Sequence, residues 1–409
     1  MSGIRRLLVG SAGVVAGFAS GKVLVRRRDR QVGLVLASHE EELLGSARGR
    51  PRIVRGPRSS RVYTEWFPAG TGEAPPGTRD PARGTRDAAA GTVLFTHGWC
   101  VTEAIWHYQK GALAGGPYSM VTWDLPGHGH STPVSRDHLT IDVAVDALAR
   151  VVDSIEDPNL VLVGHSLGGI LTIGYLLRHS ETARRRVRGA ILAATPLVHF
   201  ARTAAGRWPG ASLQARMLGQ VMQLAVENSV VDRYFSREAG SFDPTAASFR
   251  LIRTGFGADP DPRHVRFVRD MAATVAPSVR ADTFRAMTGF DLRPRLAEIE
   301  TPTTLVIGNR DRLVSAQESR ALGRLIPKAT LEEFAGAGHA LFLEQHDRFS
   351  ELVDGFARER LRPSRRRTRS GIDPASPEAR RNGRAPANGG GPAASGVAGM
   401  AARGGGPLE

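Results

Sequence analysis

Between Val161 and Ile170 the chain reads VLVGHSLGGI. A run of valine and leucine meets a glycine, then a histidine, a serine, a leucine and two more glycines. The pattern fits a buried strand that stops at a sharp turn and continues as a helix. Such a turn leaves no room for side chains at Gly164 and Gly168, and it lifts the Ser166 hydroxyl above the strand end. The segment therefore requires a strand before it and a helix after it. Gly-x-Ser-x-Gly alone is a weak signal in a chain with 47 glycines, and Ser166 would also serve as a plain helix-start residue. The surrounding sequence decides between these readings.

Runs at 61–67, 92–97, 119–124, 160–165, 189–195, 303–308 and 329–334 read as strands. Several are apolar throughout, as parallel strands covered on both faces are. Helical patterns lie between them. Ile141, Ala144, Val145, Leu148, Val151 and Val152 recur at helical spacing in 140–153, and 167–178 and 317–325 also suit helices. This alternation predicts an α/β fold, a doubly wound, mostly parallel sheet, over 61–357. From Leu197 to about residue 290 the strand patterns stop. Met217, Met222, Met271 and Met287 occur there among Leu, Val and Phe. A helical cap insertion at about 197–290 is expected over the carboxyl edge of the sheet, where such folds bind ligands. The Pro- and Gly-rich stretch 75–91 reads as a surface loop.

Net charge is +15, but it is unevenly spread. Residues 1–62 hold 13 basic and 4 acidic residues, 358–409 hold 11 and 4, and 63–357 hold 31 and 32. The globular part thus has no basic excess with which to grip phosphates, and nucleic acid is not an expected partner. Residues 31–60 read as a basic linker, and 358–409, rich in Arg, Gly, Ala and Pro, as a disordered tail. The single cysteine, Cys100, excludes an intramolecular disulfide and a cysteine metal cluster.

The ends raise a question of location. Residues 7–25, LLVGSAGVVAGFASGKVLV, are apolar except for small hydroxyls and Lys22. Their length is close to the roughly 20 residues needed to span a bilayer. Arg5 and Arg6 precede them, and Arg26, Arg27, Arg28 and Arg30 follow. Charge heavier on the downstream side places the following domain at the cytoplasmic face of a membrane. A signal peptide cleaved near residues 17–19, giving a secreted protein, and a surface helix on a cytoplasmic one are the alternatives.

A serine hydroxyl needs a base to become a nucleophile, and the base needs a carboxylate to hold its tautomer. His339, in GAGHALFLEQ, follows the last expected strand, and Asp311, in LVIGNRDRLVS, follows the one before it. Ser166, Asp311 and His339 all fall at carboxyl ends of strands, so they can converge on one rim of the sheet. The backbone N–H of Leu167, at the start of the helix, is one expected oxyanion donor. That of Trp99, in THGWC after an earlier strand, is the other. His128 and His130 with Asp124 would suggest a metal, but Gly-His-Gly after Asp-Leu-Pro reads more simply as a tight loop bordering the site. No metal or cofactor is expected.

HGWC (97–100), WDLPGHGHS (123–131), GHSLGG (164–169), GNRD (308–311) and GHALFLE (338–344) together resemble the α/β-hydrolase superfamily, in its esterase, lipase and epoxide-hydrolase-like branch. The resemblance covers about 61–357. It implies a Ser166–Asp311–His339 triad, a helical cap, and hydrolysis of an ester, thioester or amide of a small to medium apolar substrate through an acyl-enzyme. Serine at the nucleophile position departs from epoxide hydrolases and haloalkane dehalogenases, which use aspartate there. Acyl transfer or perhydrolysis by the same triad, and a non-catalytic scaffold on this fold, are the other functions open to such a sequence.

The location is testable with membranes washed in high salt, which weakens attraction between basic residues and anionic lipid but does not release a spanning helix. Retention after the wash, lost on deletion of residues 1–25, is expected. Complete release would reduce the interaction to peripheral binding.

Overall fold

The computed structural model describes residues 44–70, 90–135, 138–197, 252–288 and 291–361. The chain divides into units Met1–Pro363 and Ser364–Glu409, and every described residue belongs to the first. Residues 7–25, nearly all of the 75–91 loop, part 198–251 of the expected cap, and the tail beyond 361 lie outside the described residues. Among the described residues no helix is long and apolar enough to cross a membrane.

Eight strands form one sheet: β1 (Arg50–Arg55), β2 (Arg61–Phe67), β3 (Thr92–Thr96), β4 (Ser119–Trp123), β5 (Leu160–His165), β6 (Val187–Ala193), β7 (Thr303–Gly308) and β8 (Ala329–Phe334). Their order is β1-β2-β4-β3-β5-β6-β7-β8. The β1–β2 and β2–β4 pairs are antiparallel, and all others are parallel. The helices are α1 (His107–Leu113), α2 (Ile141–Asp153), α3 (Leu167–Arg178), α4 (Ser180–Arg186), α5 (Pro262–Thr274), α6 (Pro277–Thr288), α7 (Ala316–Leu325), α8 (Leu341–Glu344) and α9 (His346–Arg360).

Period-two alternation sorts the strand residues between two cores. Leu94, Leu162, Leu192 and Leu305 pack on one face with Val145 and Leu148 of α2 and Leu171 of α3. Phe95, Val163, Ile191 and Val306 pack on the other with Trp106, Phe342 and Phe349. Both faces are covered, so β3, β5 and β7 are buried at every position. The helix expected over 140–153 starts where Thr140 accepts from the Val143 N–H, an N-cap that satisfies one unpaired donor of the first turn.

The basic linker expected over 31–60 requires correction. Residues 50–55 of it form β1, in register from Arg50 opposite Trp66 to Arg55 opposite Arg61. Its side chains are mostly exposed. Backbone pairing makes this edge strand, and its sequence RPRIVR carries no apolar alternation to announce it. At the other end, α9 runs to Arg360, three residues beyond the expected limit at 357. Helices α1 and α4 were also absent from the sequence pattern. The α1 sequence HYQKGAL buries His107, Gln109 and Lys110 where periodicity looks for apolar residues, and α4 is short and charged.

Lys110 is fully buried and pairs with two buried carboxylates, Glu65 at 2.8 Å and Glu103. Arg48 reaches in from the surface to Glu103 at 2.8 Å. Burial pulls the Lys110 ammonium down to about 8, against the pull of Glu65. Desolvation opposes the Glu65 charge, yet Lys110 beside it holds that carboxyl below its ordinary range. Removing one partner of a buried pair leaves charge uncompensated. Lys110→Met should therefore destabilise the fold by about 3 kcal/mol or more, read as a lower denaturant midpoint in chemical unfolding.

Candidate active site

The turn after β5 holds Ser166 at φ 52°, ψ −114°. A non-glycine residue in that region is strained and persists only where its surroundings enforce it. Here the enforcement is steric. A Cβ on Gly164 would lie 2.5 Å from the Gly168 carbonyl oxygen, and one on Gly168 would lie 2.2 Å from the Thr96 oxygen. One on Gly169 would overlap the Thr195 hydroxyl. The Ser166 N–H donates to Ala193 O at 2.9 Å, and the Ser166 carbonyl accepts from Gly169 and Ile170. Ser166 is thus tied to β6 behind it and to α3 ahead of it. Leu167 opens α3, where the first N–H groups have no partner within the helix.

The loop after β3 comes against this turn. A Cβ on Gly98 would meet the His165 ring at 2.7 Å. Trp99, next in sequence, donates from Nε1 to the Arg280 carbonyl at 3.1 Å, and its ring lies 5.5 Å from that of Phe284. The Trp99 side chain thereby fixes its own backbone beneath α6. On the opposite side, His97 Nδ1 donates to Gly98 O at 2.7 Å, and its Nε2 accepts from Leu125 N–H at 3.0 Å. That pair of bonds defines a neutral imidazole, and burial, with His128 nearby, pulls the His97 pKa well below its ordinary value.

Asp311 follows β7 and His339 follows β8. Asp311 Oδ1 accepts from the backbone of Leu313 (2.8 Å) and Val314 (2.9 Å), while Oδ2 lies 2.8 Å from His339 Nδ1. A carboxylate only accepts, so Nδ1 carries the hydrogen and Nε2 keeps its lone pair. The Asp311 side chain is 1% exposed and that of His339 is 14% exposed. The carboxylate is buried and the imidazole keeps an accessible edge. His165 links this pair to the serine turn: its Nε2 donates to the His339 carbonyl at 3.1 Å, and the two rings are 4.8 Å apart. Burial and the neighbouring His339 pull the His165 pKa well below its ordinary value.

The structure brings Ser166, Leu167, Trp99, Asp311 and His339 to the carboxyl ends of β3, β5, β7 and β8. It also gives contacts to residues that the sequence reading passed over. Glu344 accepts from Gly257 N–H (2.7 Å) and Gly338 N–H (2.9 Å), and Gly255 O accepts from His339 N–H (2.6 Å). Glu318 accepts from Leu197 N–H at 3.0 Å. The motifs GHSLGG and GHALFLE contain His165 and Glu344, but a single sequence gives no sign of what each touches. Asp124 is a loop staple, accepting from the N–H groups of Glu103 and His130, both at 2.8 Å. Burial pushes its carboxyl up to about 7. Cys100 is a free thiol that desolvation pushes well above its ordinary range, which suits packing rather than attack.

The chain is similar to known proteins in sequence and in fold. The pimeloyl-[acyl-carrier protein] methyl ester esterase of Photobacterium profundum is 26% identical over 270 residues, covering 64% of this chain and 93% of that relative. The enzyme of the same description from Stenotrophomonas maltophilia is 29% identical over 268 residues, covering 64% and 92%. Among solved structures, an esterase from Exiguobacterium antarcticum superposes with a TM-score of 0.59 at 19% identity, covering 75% of this chain and 98% of that one. The last similarity concerns the fold alone. Residues 93–352, well over half of the chain, match the model of the Alpha/beta hydrolase family, and the chain belongs to that family.

Proposed function

We propose that this α/β hydrolase cleaves carboxylic esters through a covalent acyl-enzyme on Ser166. The observation that carries the reading is the 2.8 Å contact between His339 Nδ1 and Asp311 Oδ2, made beside the turn that holds Ser166. Ser166 Oγ attacks the ester carbonyl carbon while His339 Nε2 takes the hydroxyl proton. The carbonyl oxygen becomes an oxyanion, met by the backbone N–H groups of Leu167 and Trp99. The tetrahedral intermediate collapses, the C–O bond to the alcohol breaks, and His339 returns the proton to the departing oxygen. Water then attacks the acyl-enzyme, giving its proton to His339, and the acid and free Ser166 are regenerated. Asp311 holds the tautomer and stabilises the imidazolium that forms twice in the cycle.

The esterase names of the relatives support ester chemistry, and the apolar residues of the expected cap support a small to medium apolar substrate. Placement at the cytoplasmic face of a membrane through residues 7–25 belongs to the same proposal.

A fluorophosphonate probe should label the wild-type protein, and Ser166→Ala should abolish both labelling and p-nitrophenyl ester hydrolysis; equal labelling of the variant would sink the nucleophile assignment. Asp311→Asn keeps the shape but favours the wrong imidazole tautomer, and it should lower kcat by about 10⁴-fold. A loss of less than tenfold in steady-state kinetics would remove Asp311 from the triad.

A further inference from the structure

The β1–β2 hairpin turns at the rim of the sheet that carries Ser166, Asp311 and His339. Strand β2 runs antiparallel to β4, with Thr64 opposite Trp123, so its first residue, Arg61, lies past the carboxyl end of β4. The hydrogen bonds agree. Arg61 N–H donates to Thr132 Oγ1 at 2.8 Å, and the Arg61 carbonyl accepts from Thr132 N–H at 2.9 Å, in the loop that follows β4. Strand β1 ends beside it, with Arg55 opposite Arg61. The turn 56–60 between them therefore stands at the carboxyl rim.

This turn is built against its own stability. Arg55 and Arg61 set like charges directly opposite each other, which is destabilising. Arg58 (φ 55°) and Ser59 (φ 61°) both take left-handed backbone without being glycine. Strain of that kind persists where a function uses it. Arg55, Arg58 and Arg61 are all exposed, and among the described residues none of the three forms an ion pair. The acidic groups of this region are taken, because Glu65 and Glu103 pair with Arg48 and Lys110. The adjoining loop 126–135, PGHGHSTPVS, has no acidic residue. Charge on an edge strand blocks unwanted strand pairing, but that purpose needs neither opposed arginines nor a strained turn between them.

Ile53 adds a second chemistry. It shares a face with Arg55, two residues along the strand. At 48% it is the most exposed large apolar side chain among the described residues. Arginines alone would suit any polyanion. An apolar side chain held out beside them suits a surface that joins phosphate to hydrocarbon, as a lipid bilayer does. Upstream, the sequence repeats the combination, with Arg26, Arg27, Arg28 and Arg30 after the apolar stretch 7–25.

We propose that the β1–β2 hairpin docks on an anionic bilayer, with Arg55, Arg58 and Arg61 against the headgroup phosphates and Ile53 against the acyl boundary. Docking by this surface orients the domain, because it brings the carboxyl rim to the lipid. An apolar ester dissolved in the bilayer then meets the site without crossing bulk water. That consequence rests on the ester cleavage proposed above; the docking itself does not.

A polarity-sensitive fluorophore attached at Ile53→Cys in the full chain reads docking without turnover. The unsubstituted protein, treated alike, reports any label on Cys100. Vesicles of phosphatidylcholine with phosphatidylserine should shift the emission to the blue. With phosphatidylcholine alone the shift should be at least about fivefold smaller, the factor that one basic residue near an anionic surface is worth. Arg55→Gln, Arg58→Gln and Arg61→Gln together should shrink the shift on the phosphatidylserine vesicles as much. The melting temperature of this triple variant should hold or rise, since the opposed charges are gone, and its p-nitrophenyl ester hydrolysis in vesicle-free buffer should be unchanged. No shift on either kind of vesicle, an equal shift on both, or a full shift in the triple variant would overturn the proposal. An equal shift with RNA or with polyglutamate in place of vesicles would overturn it too, since the partner would then be a soluble polyanion. If the shift behaves as expected but no Ser166-dependent hydrolysis is found, docking stands and the esterase reading falls.

Discussion

The carbonyl oxygen of Thr96 lies 2.2 Å from where any side chain on Gly168 would begin. This close approach of β3 to the first turn of α3 governs the rest of the site. It draws the loop 97–99 against the start of α3 and forces the chain through the left-handed backbone at Ser166. It also sets the first turn of α3, with its unpaired N–H groups, directly after the serine. The strain at Ser166 is held by elements buried on both faces, so its energy is spread over the packing of β5, α3 and β6.

Much of this was legible in the sequence because packing and turn geometry leave marks in residue type. Fully covered strands favour apolar runs, as at 93–95 and 160–163, and the turn at Ser166 demands glycine at 164 and 168. The order of Ser166, Asp311 and His339 at strand ends located the candidate site before any coordinates. What escaped has a common cause: it is decided by pairing between distant residues. Strand β1 is held by backbone bonds to β2, and backbone bonds have no composition. Helix α1 is a core helix whose buried face carries Lys110, and only the approach of Glu65 and Glu103 from other elements makes that position tolerable. The contacts of His97, His165 and Glu344 depend on which carbonyl or N–H each meets across the sheet.

Three buried or half-buried histidines divide their labour by tautomer. His97 donates from Nδ1 and accepts at Nε2, and so ties the loop 97–99 to the loop after β4. His165 donates from Nε2 to the backbone of His339. Both are kept neutral by burial, so neither competes with His339 for a proton in the proposed cycle. His339 differs in having a carboxylate behind it and an accessible edge in front. The same side chain thus serves as a rigid strut twice and, in that cycle, as a proton carrier once, and its surroundings set the difference.

Leu197 N–H is bound by Glu318, and Gly257 N–H is bound by Glu344, which also binds Gly338 beside His339. These contacts fasten two points of the long excursion between β6 and β7, its start at Leu197 and the turn before α5, to the α/β body. The fastenings use main-chain donors on the insertion side, so they ask almost nothing of the intervening sequence. Because Glu344 holds Gly257 and Gly338 at once, the turn before α5 and the loop that carries His339 share one anchor, and a shift of either is felt by the other.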